Sequence, residues 1–327
     1  MNNIISTKST YSTKTIFFLM VVVFSFVFIS HSTPKILSKS KSVTLVVLGT
    51  IQDGGSPHIG CSKICCKALF EHPDNTQKVV SLGLIDHRQQ KKFLFEASPD
   101  MPSQLKLMKT FMYSKTEFPD GIFLTHAHIG HYTGLMYFGR EAMNSAGIPV
   151  YVMPRMKKFL SENGPWSQLV SLKNISLQDI SDNQKTLLGD SLVVIPLMVP
   201  HREEYSEVVG YKIIGPRKTA LFIPDIDKWN LWKSDILNEI RSVDYAFLDA
   251  TFYDASEISN RLISEIPHPC IIESMSLFET LSPKDRSKIY FIHFNHTNPV
   301  LDIHSAAYKR VIDAGFHIAK FKDTFEL

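Results

Sequence analysis

Thr125-His126-Ala127-His128-Ile129-Gly130-His131 sets three imidazoles within six residues, directly after the apolar run Ile122-Phe123-Leu124. The run reads as a buried strand, so the histidines fall on the loop that leaves it. Imidazole is the commonest ligand of a catalytic divalent ion, and three on one short loop can converge on a shared metal. Further metal-competent side chains recur at the ends of later apolar runs: His201 after Val199-Pro200, Asp225 after Phe222-Ile223-Pro224, Asp249 after Phe247-Leu248, and His293 after Phe291-Ile292. A single residue of this kind is an ordinary strand-end cap or a satisfied core histidine. Four in succession behind an HxHxxH loop are how an α/β scaffold gathers a metal site from distant sequence.

A second cluster lies upstream. Cys61, Cys65 and Cys66 crowd into six residues, while Cys270 stands far away. Adjacent cysteines bridge poorly with each other, and thiolates four and five residues apart on a loop entering a helix can share a zinc ion. One disulfide plus spare thiols is the competing reading in an oxidising compartment. Cys270, within His268-Pro269-Cys270-Ile271-Ile272, reads as an ordinary buried thiol.

The elements that must position these groups alternate along the chain. Strands are predicted at 43–48, 79–85, 92–95, 121–124 and 149–153 and, in the second half, at 192–198, 208–214, 219–223, 245–248 and 289–294; helices are predicted at 102–111 and 134–144. Such continuous apolar strands need cover on both faces or a place in a sandwich core. The loop Gly49-Thr50-Ile51-Gln52-Asp53-Gly54-Gly55-Ser56-Pro57-His58 is rich in turn residues, and Asp53 there reads first as a turn residue before the glycine pair.

The amino terminus stands outside this pattern. Residues 1–14 carry Lys8 and Lys14 with no acid, and Ile16 to Ile29 are almost wholly apolar. This reads as an export signal over residues 1–32, cleaved after Ser30-His31-Ser32, with an uncleaved, outward-facing membrane anchor as the alternative. Residues 33–42 form a flexible tether and 43–327 a single domain, placing the catalytic body in the periplasm or outside the cell. Loss of the segment takes the formal charge from +3 to +1. A near-neutral body is no polyanion trap, so the expected partner is a small molecule rather than nucleic acid, and membrane contact runs only through the amino-terminal segment.

On these residues the chain resembles the metallo-β-lactamase superfamily, whose order is an HxHxDH loop, then a His, an Asp and a His. The resemblance covers nearly everything after Val43 and implies an α/β fold, a four-layer αββα sandwich. It implies that His126, His128 and His201 hold the first metal, that Asp225 bridges, and that His131 and His293 face the second. Leu48-Gly49-Thr50 with Gly54-Gly55-Ser56-Pro57, the cysteine cluster, Ala97-Ser98-Pro99-Asp100 and Thr297-Asn298-Pro299-Val300-Leu301 resemble the branch of pyrroloquinoline quinone biosynthesis protein B. The carbon-phosphorus lyase phosphodiesterases are a second similar branch, which implies a structural zinc on Cys61, Cys66 and His296, with Cys65 as fourth ligand. One position departs from the pattern: the HxHxDH aspartate is Gly130, which can neither ligate nor accept a proton. The centre is then mononuclear, with His131 spare, or dinuclear and repaired by Asp53 or His58.

Three functions follow as expectations. The first is hydrolysis of a phosphodiester or ester by metal-bound hydroxide, with Asp225 orienting the nucleophile. Zinc is the expected ion, with iron or manganese as alternatives in the active site. The second is an oxygen-using or maturation role in quinone-cofactor biosynthesis. The third is a metal-loaded scaffold that binds without turnover. Arg202, Glu203, Tyr205 and Arg155 are candidate substrate contacts, as are the second-layer candidates Asp249, Asp53 and His58, and Trp166 is a candidate pocket wall.

Overall fold

The structure is a computed structural model and describes residues 43–112, 116–257 and 266–327. The export segment and tether lie outside the described residues. Among the described residues no helix is long and apolar enough to cross a membrane.

The first sheet is built from β1 (Val43–Gly49), β2 (Ser81–Asp86), β3 (Lys91–Phe95), β4 (Gly121–Phe123), β5 (Ile148–Val152) and β6 (Ile175–Asp179). The second is built from β7 (Thr186–Leu187), β8 (Val193–Met198), β9 (Val209–Ile214), β10 (Thr219–Ile223), β11 (Tyr245–Asp249), β12 (Ile289–Ile292) and β13 (His317–Ile318). The last strand, β14 (Thr324–Glu326), returns to the first sheet and pairs antiparallel with β1. The spatial orders are β14-β1-β2-β3-β4-β5-β6 and β13-β12-β11-β10-β9-β8-β7. Each sheet is mixed, with β3 to β6 mutually parallel in one and β10 to β13 in the other.

Side-chain alternation along the strands divides the core into three layers. On β1, Leu45 and Val47 meet Val209, Tyr211 and Phe222 of the second sheet, while Val46 and Leu48 turn outward onto Leu105 and Met108. Leu105 and Met108 belong to the helix Met101–Thr110, which with Pro154–Glu162 and Trp166–Ser171 covers the outer face of the first sheet. Ile236–Arg241, Ile271–Phe278 and Ala306–Asp313 cover the second sheet through Ile240, Phe278 and Val311. This is the αββα sandwich expected from the sequence, and cover on both faces explains why the strands read as unbroken apolar runs. Each fully buried Leu, Ile or Phe contributes roughly 1.5–3 kcal/mol.

Two predicted elements are shorter than expected. The helix predicted at 134–144 is a 3₁₀ turn over Thr133–Phe138, ended by Gly139 in extended conformation (φ −71°, ψ 176°). The turn is pressed onto the chain after β3: Gly134 N donates to the Ala97 carbonyl at 2.8 Å, and a Cβ at Gly134 would lie 2.2 Å from the Ser98 carbonyl oxygen. The strand predicted to reach 294 stops at Ile292 because His293 has a φ of +69°. Glu96, directly after β3, has a φ of +74°. Left-handed conformations in non-glycine residues cost on the order of 1–3 kcal/mol and gather at functional sites. Here both re-aim a polar side chain at one edge of the sandwich.

Candidate metal centre

That edge collects the residues just beyond β1, β3, β4, β8, β10, β11 and β12. His126, His128, His201 and Asp225 present ligand atoms all within 4.8 Å of one another, as do Asp53, His131 and His293, and as do Asp225, Asp249, His268 and His293. Asp225 lies between the first two groups. Its Oδ2 is 3.4 Å from His126 Nε2 and 3.8 Å from His131 Nε2, and its Oδ1 is 3.2 Å from His201 Nε2. Asp53 Oδ1 is 2.9 Å from His131 Nε2 and 3.5 Å from His293 Nε2.

The inward atoms lack hydrogen-bond partners. Nε2 of His126, His131, His201 and His293, with Oδ1 of Asp53 and Asp225, are buried and unsatisfied. Six such atoms converging on one edge are costly unless something cationic sits among them. The opposite imidazole nitrogens are oriented: His126 Nδ1 by Thr125 Oγ1 at 2.8 Å, His201 Nδ1 by Asp227 at 2.8 Å, His131 Nδ1 by Glu96 at 3.2 Å and His293 Nδ1 by Thr251 Oγ1 at 2.9 Å. Orienting one nitrogen while the other faces inward is the arrangement that tunes a metal-binding histidine. The residues therefore fit a divalent ion.

In the metal-free protein, protons on some of these imidazoles balance the buried carboxylates. Burial works against charge on His131, yet Asp53 and Glu96 outweigh it and hold the imidazole well above its usual range. Burial likewise opposes ionisation of Asp225, but His201 and His268 keep that carboxylate well below the ordinary range. Burial, with His131 nearby, pushes His126 well below the usual imidazole value.

Every strand-end residue singled out from sequence reaches this edge, together with three that were not. His268 approaches Asp249 Oδ2 at 2.9 Å and Asp225 Oδ1 at 3.2 Å. It precedes a helix instead of following a strand, so the strand-end pattern passes over it. Glu96 sits one residue before the quoted Ala97-Ser98-Pro99-Asp100, fully buried, its other oxygen accepting from Thr125 N at 3.3 Å. Asp227, two residues after Asp225, meets His201 Nδ1 at 2.8 Å. Asp249 is fully buried and accepts from Ile226 N and from Thr251 N and Oγ1. Arg202 lies on the rim, its Nη2 3.5 Å from His128 Nδ1. Arg155 is engaged by Glu203 at 3.1 Å, and Trp166 packs on Tyr132 and Phe159.

The cysteines assemble elsewhere. Cys61, Cys65, Cys66 and His296 bring their ligand atoms within 4.8 Å of one another, and all four cysteines of the chain are free. Sγ separations are 4.0 Å for Cys61–Cys65 and 3.9 Å for Cys65–Cys66. Burial and the neighbouring thiols push Cys65 up to about 12 without metal, and burial with His58 and Lys63 pulls His296 down to about 4, leaving that imidazole neutral. His296 Nδ1 is buried without a partner. His58 belongs here and not with the histidines of the first loop: its ring stacks on His296 at 4.3 Å, and its backbone N–H donates to Cys66 Sγ at 3.3 Å. Cys270 is fully buried at the start of the helix Ile271–Phe278.

Known proteins share this fold. Coenzyme PQQ synthesis protein B of Xanthomonas euvesicatoria pv. vesicatoria is 22% identical over 298 residues, covering 84% of this chain and 97% of that protein. Its counterpart from Methylococcus capsulatus is 24% identical over 303 residues, covering 84% and 96%. Among solved structures, Zn²⁺-bound PqqB from Methylobacterium extorquens superposes with a TM-score of 0.72 at 19% identity, covering 87% of this chain and 100% of that one. A new diphosphatase of the PhnP family superposes with a TM-score of 0.63 at 21% identity, covering 87% and 97%. The profile of the beta-lactamase superfamily domain matches residues 91–294, which span β3 through the strand-end His293, and the chain belongs to that family.

Proposed function

We propose that this protein is a metal-dependent hydrolase of a small phosphodiester or ester. The observation that carries the reading is the position of Asp225, shared between a histidine group on each side. His126, His128, His201 and Asp225 would hold a divalent ion, zinc by preference, which would supply Lewis acidity and a nucleophile near neutral pH. Asp227 and Thr125 fix the rings of His201 and His126 so that neither reorganises during the reaction. Asp225, buried among imidazoles, orients the attacking group. His268, held at Nδ1 by Asp249 and Asp225, is the candidate for returning a proton to the leaving oxygen. Arg202, half exposed beside the partly exposed His128, offers its guanidinium to an anionic substrate. The body acts after export, a reading supported by Lys8, Lys14 and the apolar stretch that follows them.

The test is turnover of bis(p-nitrophenyl) phosphate and p-nitrophenyl acetate by zinc- or manganese-loaded protein. Activity abolished by chelation and by His128→Ala supports the reading, whereas no turnover of either class by fully loaded protein refutes it. A second reading, oxygen-dependent cofactor maturation on iron, is favoured by the similarity to PQQ synthesis protein B over 84% of the chain. Oxygen consumption after Fe(II) loading, without ester turnover, would select it. Amino-terminal sequencing of the mature protein, expected to start at Thr33, tests the export reading.

A further inference from the structure

Gly130 leaves the HxHxxH loop one carboxylate short, and the fold fills that space from another part of the chain. A Cβ on Gly130 would lie 2.4 Å from Asp53 Oδ1 and 2.6 Å from Asp53 Cα. We propose that Asp53 supplies the second ion with the carboxylate that position 130 lacks, so that the unmodified centre holds two divalent ions. The inference rests on the metal-centre reading above and deepens it.

Geometry supports the assignment from three directions. Asp53 Oδ1 approaches His131 Nε2 and His293 Nε2 at 2.9 and 3.5 Å, and all three atoms are buried without hydrogen-bond partners. A turn role for the Asp53 side chain is taken by its neighbour instead: Gln52 Oε1 accepts from Gly54 N at 3.2 Å. The approach of Asp53 is fixed by backbone pairing, with Gln52 N donating to the Phe294 carbonyl at 2.8 Å and Phe294 N to the Thr50 carbonyl at 2.8 Å. Glycine at 130 is thus a steric requirement of Asp53, since its φ is not among the left-handed ones. With Asp225, the second ion then has two anionic ligands to offset its charge, and with His131 and His293 it has four ligands in all.

Metal stoichiometry after equilibration in defined Mn²⁺ or Zn²⁺ is the assay, joined by electron paramagnetic resonance of the Mn²⁺ form, where ions about 3.5–4 Å apart couple. The unmodified protein is expected to hold two ions at this edge with a coupled spectrum. Asp53→Ala should lose one ion and the coupling while keeping the other, with the second dissociation constant raised by more than the roughly 10–100-fold typical of residues that only orient a ligand. Gly130→Asp alone should also lose the second ion, because its side chain collides with Asp53. The double variant Asp53→Gly with Gly130→Asp moves the carboxylate across the loop and should restore both ion and coupling. Two retained ions in Asp53→Ala, a single ion in the saturated unmodified protein, or a folded double variant that stays mononuclear would each overturn the proposal. Stoichiometry and spectrum decide this assignment, and turnover, measured separately, decides the hydrolase reading.

Discussion

Cys66→Ser gives a sharp test of the cysteine cluster, because the expected geometry can be worked out in advance. Four ligands in a tetrahedron about 2.3 Å from zinc place thiolate sulfurs roughly 3.8 Å apart, whereas a disulfide holds them at about 2.05 Å. The separations of 3.9 and 4.0 Å match the first figure. Cys66 is fully buried and accepts the His58 backbone N–H, so serine removes a ligand at the closed side of the cluster. A ligand present at a thousandfold excess over its dissociation constant stabilises the folded state by about 4.1 kcal/mol. For a domain of this size, at roughly 2–4 °C per kcal/mol, that corresponds to a fall in Tm of about 8–16 °C. Elemental analysis should show one zinc fewer per chain, and differential scanning fluorimetry should show that added zinc no longer raises the variant's Tm through this site. An unreduced mass spectrum with Cys61 in a disulfide, or a variant that keeps its full zinc count, would refute the reasoning.

Three further outcomes are expected. Asp227→Asn removes the anion that holds His201 Nδ1 at 2.8 Å, and metal affinity should fall by about 10–100-fold with the fold intact, as read by competition with a chromogenic chelator. Burial pulls His201 down, yet Asp225 and Asp227 lift it to about 9 in the metal-free protein, above its ordinary 6.5. The protonated ring therefore adds stability that is complete below about 6.5 and is lost as pH rises through about 9, so Tm of the metal-free protein should decline across that window. Metal must displace the same proton, so apparent affinity should weaken as pH drops below about 9, with proton release visible by calorimetry in two buffers. Tyr211→Phe leaves the buried Leu124 carbonyl without its hydroxyl donor, immediately ahead of the histidine loop, and should cost about 1–3 kcal/mol by urea denaturation.

The sandwich was legible because covered strands announce themselves as apolar runs, and the candidate metal edge because its metal-competent side chains follow those runs in chain order. His126, His201, Asp225 and His293 share that logic. His268 does not, since it reaches the edge from a segment leading into a helix, where no period marks it. Glu96 was hidden for a different reason: only its left-handed backbone turns it under His131, and backbone conformation in a non-glycine residue leaves no trace in composition. Asp53 was visible but ambiguous, because an aspartate before two glycines looks the same whether it stabilises a turn or leaves one. The helix predicted at 134–144 failed at Gly139, where apolar spacing carries on past a residue that the backbone uses to stop.

The paired backbone around Ile51 and Phe294 has a consequence for how the protein matures. Asp53 is eight residues from Cys61, and His293 is three from His296, so the same two segments that meet at the Gln52–Phe294 hydrogen bond each end in the cysteine cluster. With zinc in that cluster, the two segments are stapled at one end and laced by main chain at the other. Their freedom to separate is spent before any ion reaches the active edge. Loading then becomes sequential: the closed site fixes the spacing, and the open site inherits it. Scarcity of one metal would be felt first as a loss of order in a neighbouring centre, while the sandwich itself stayed folded.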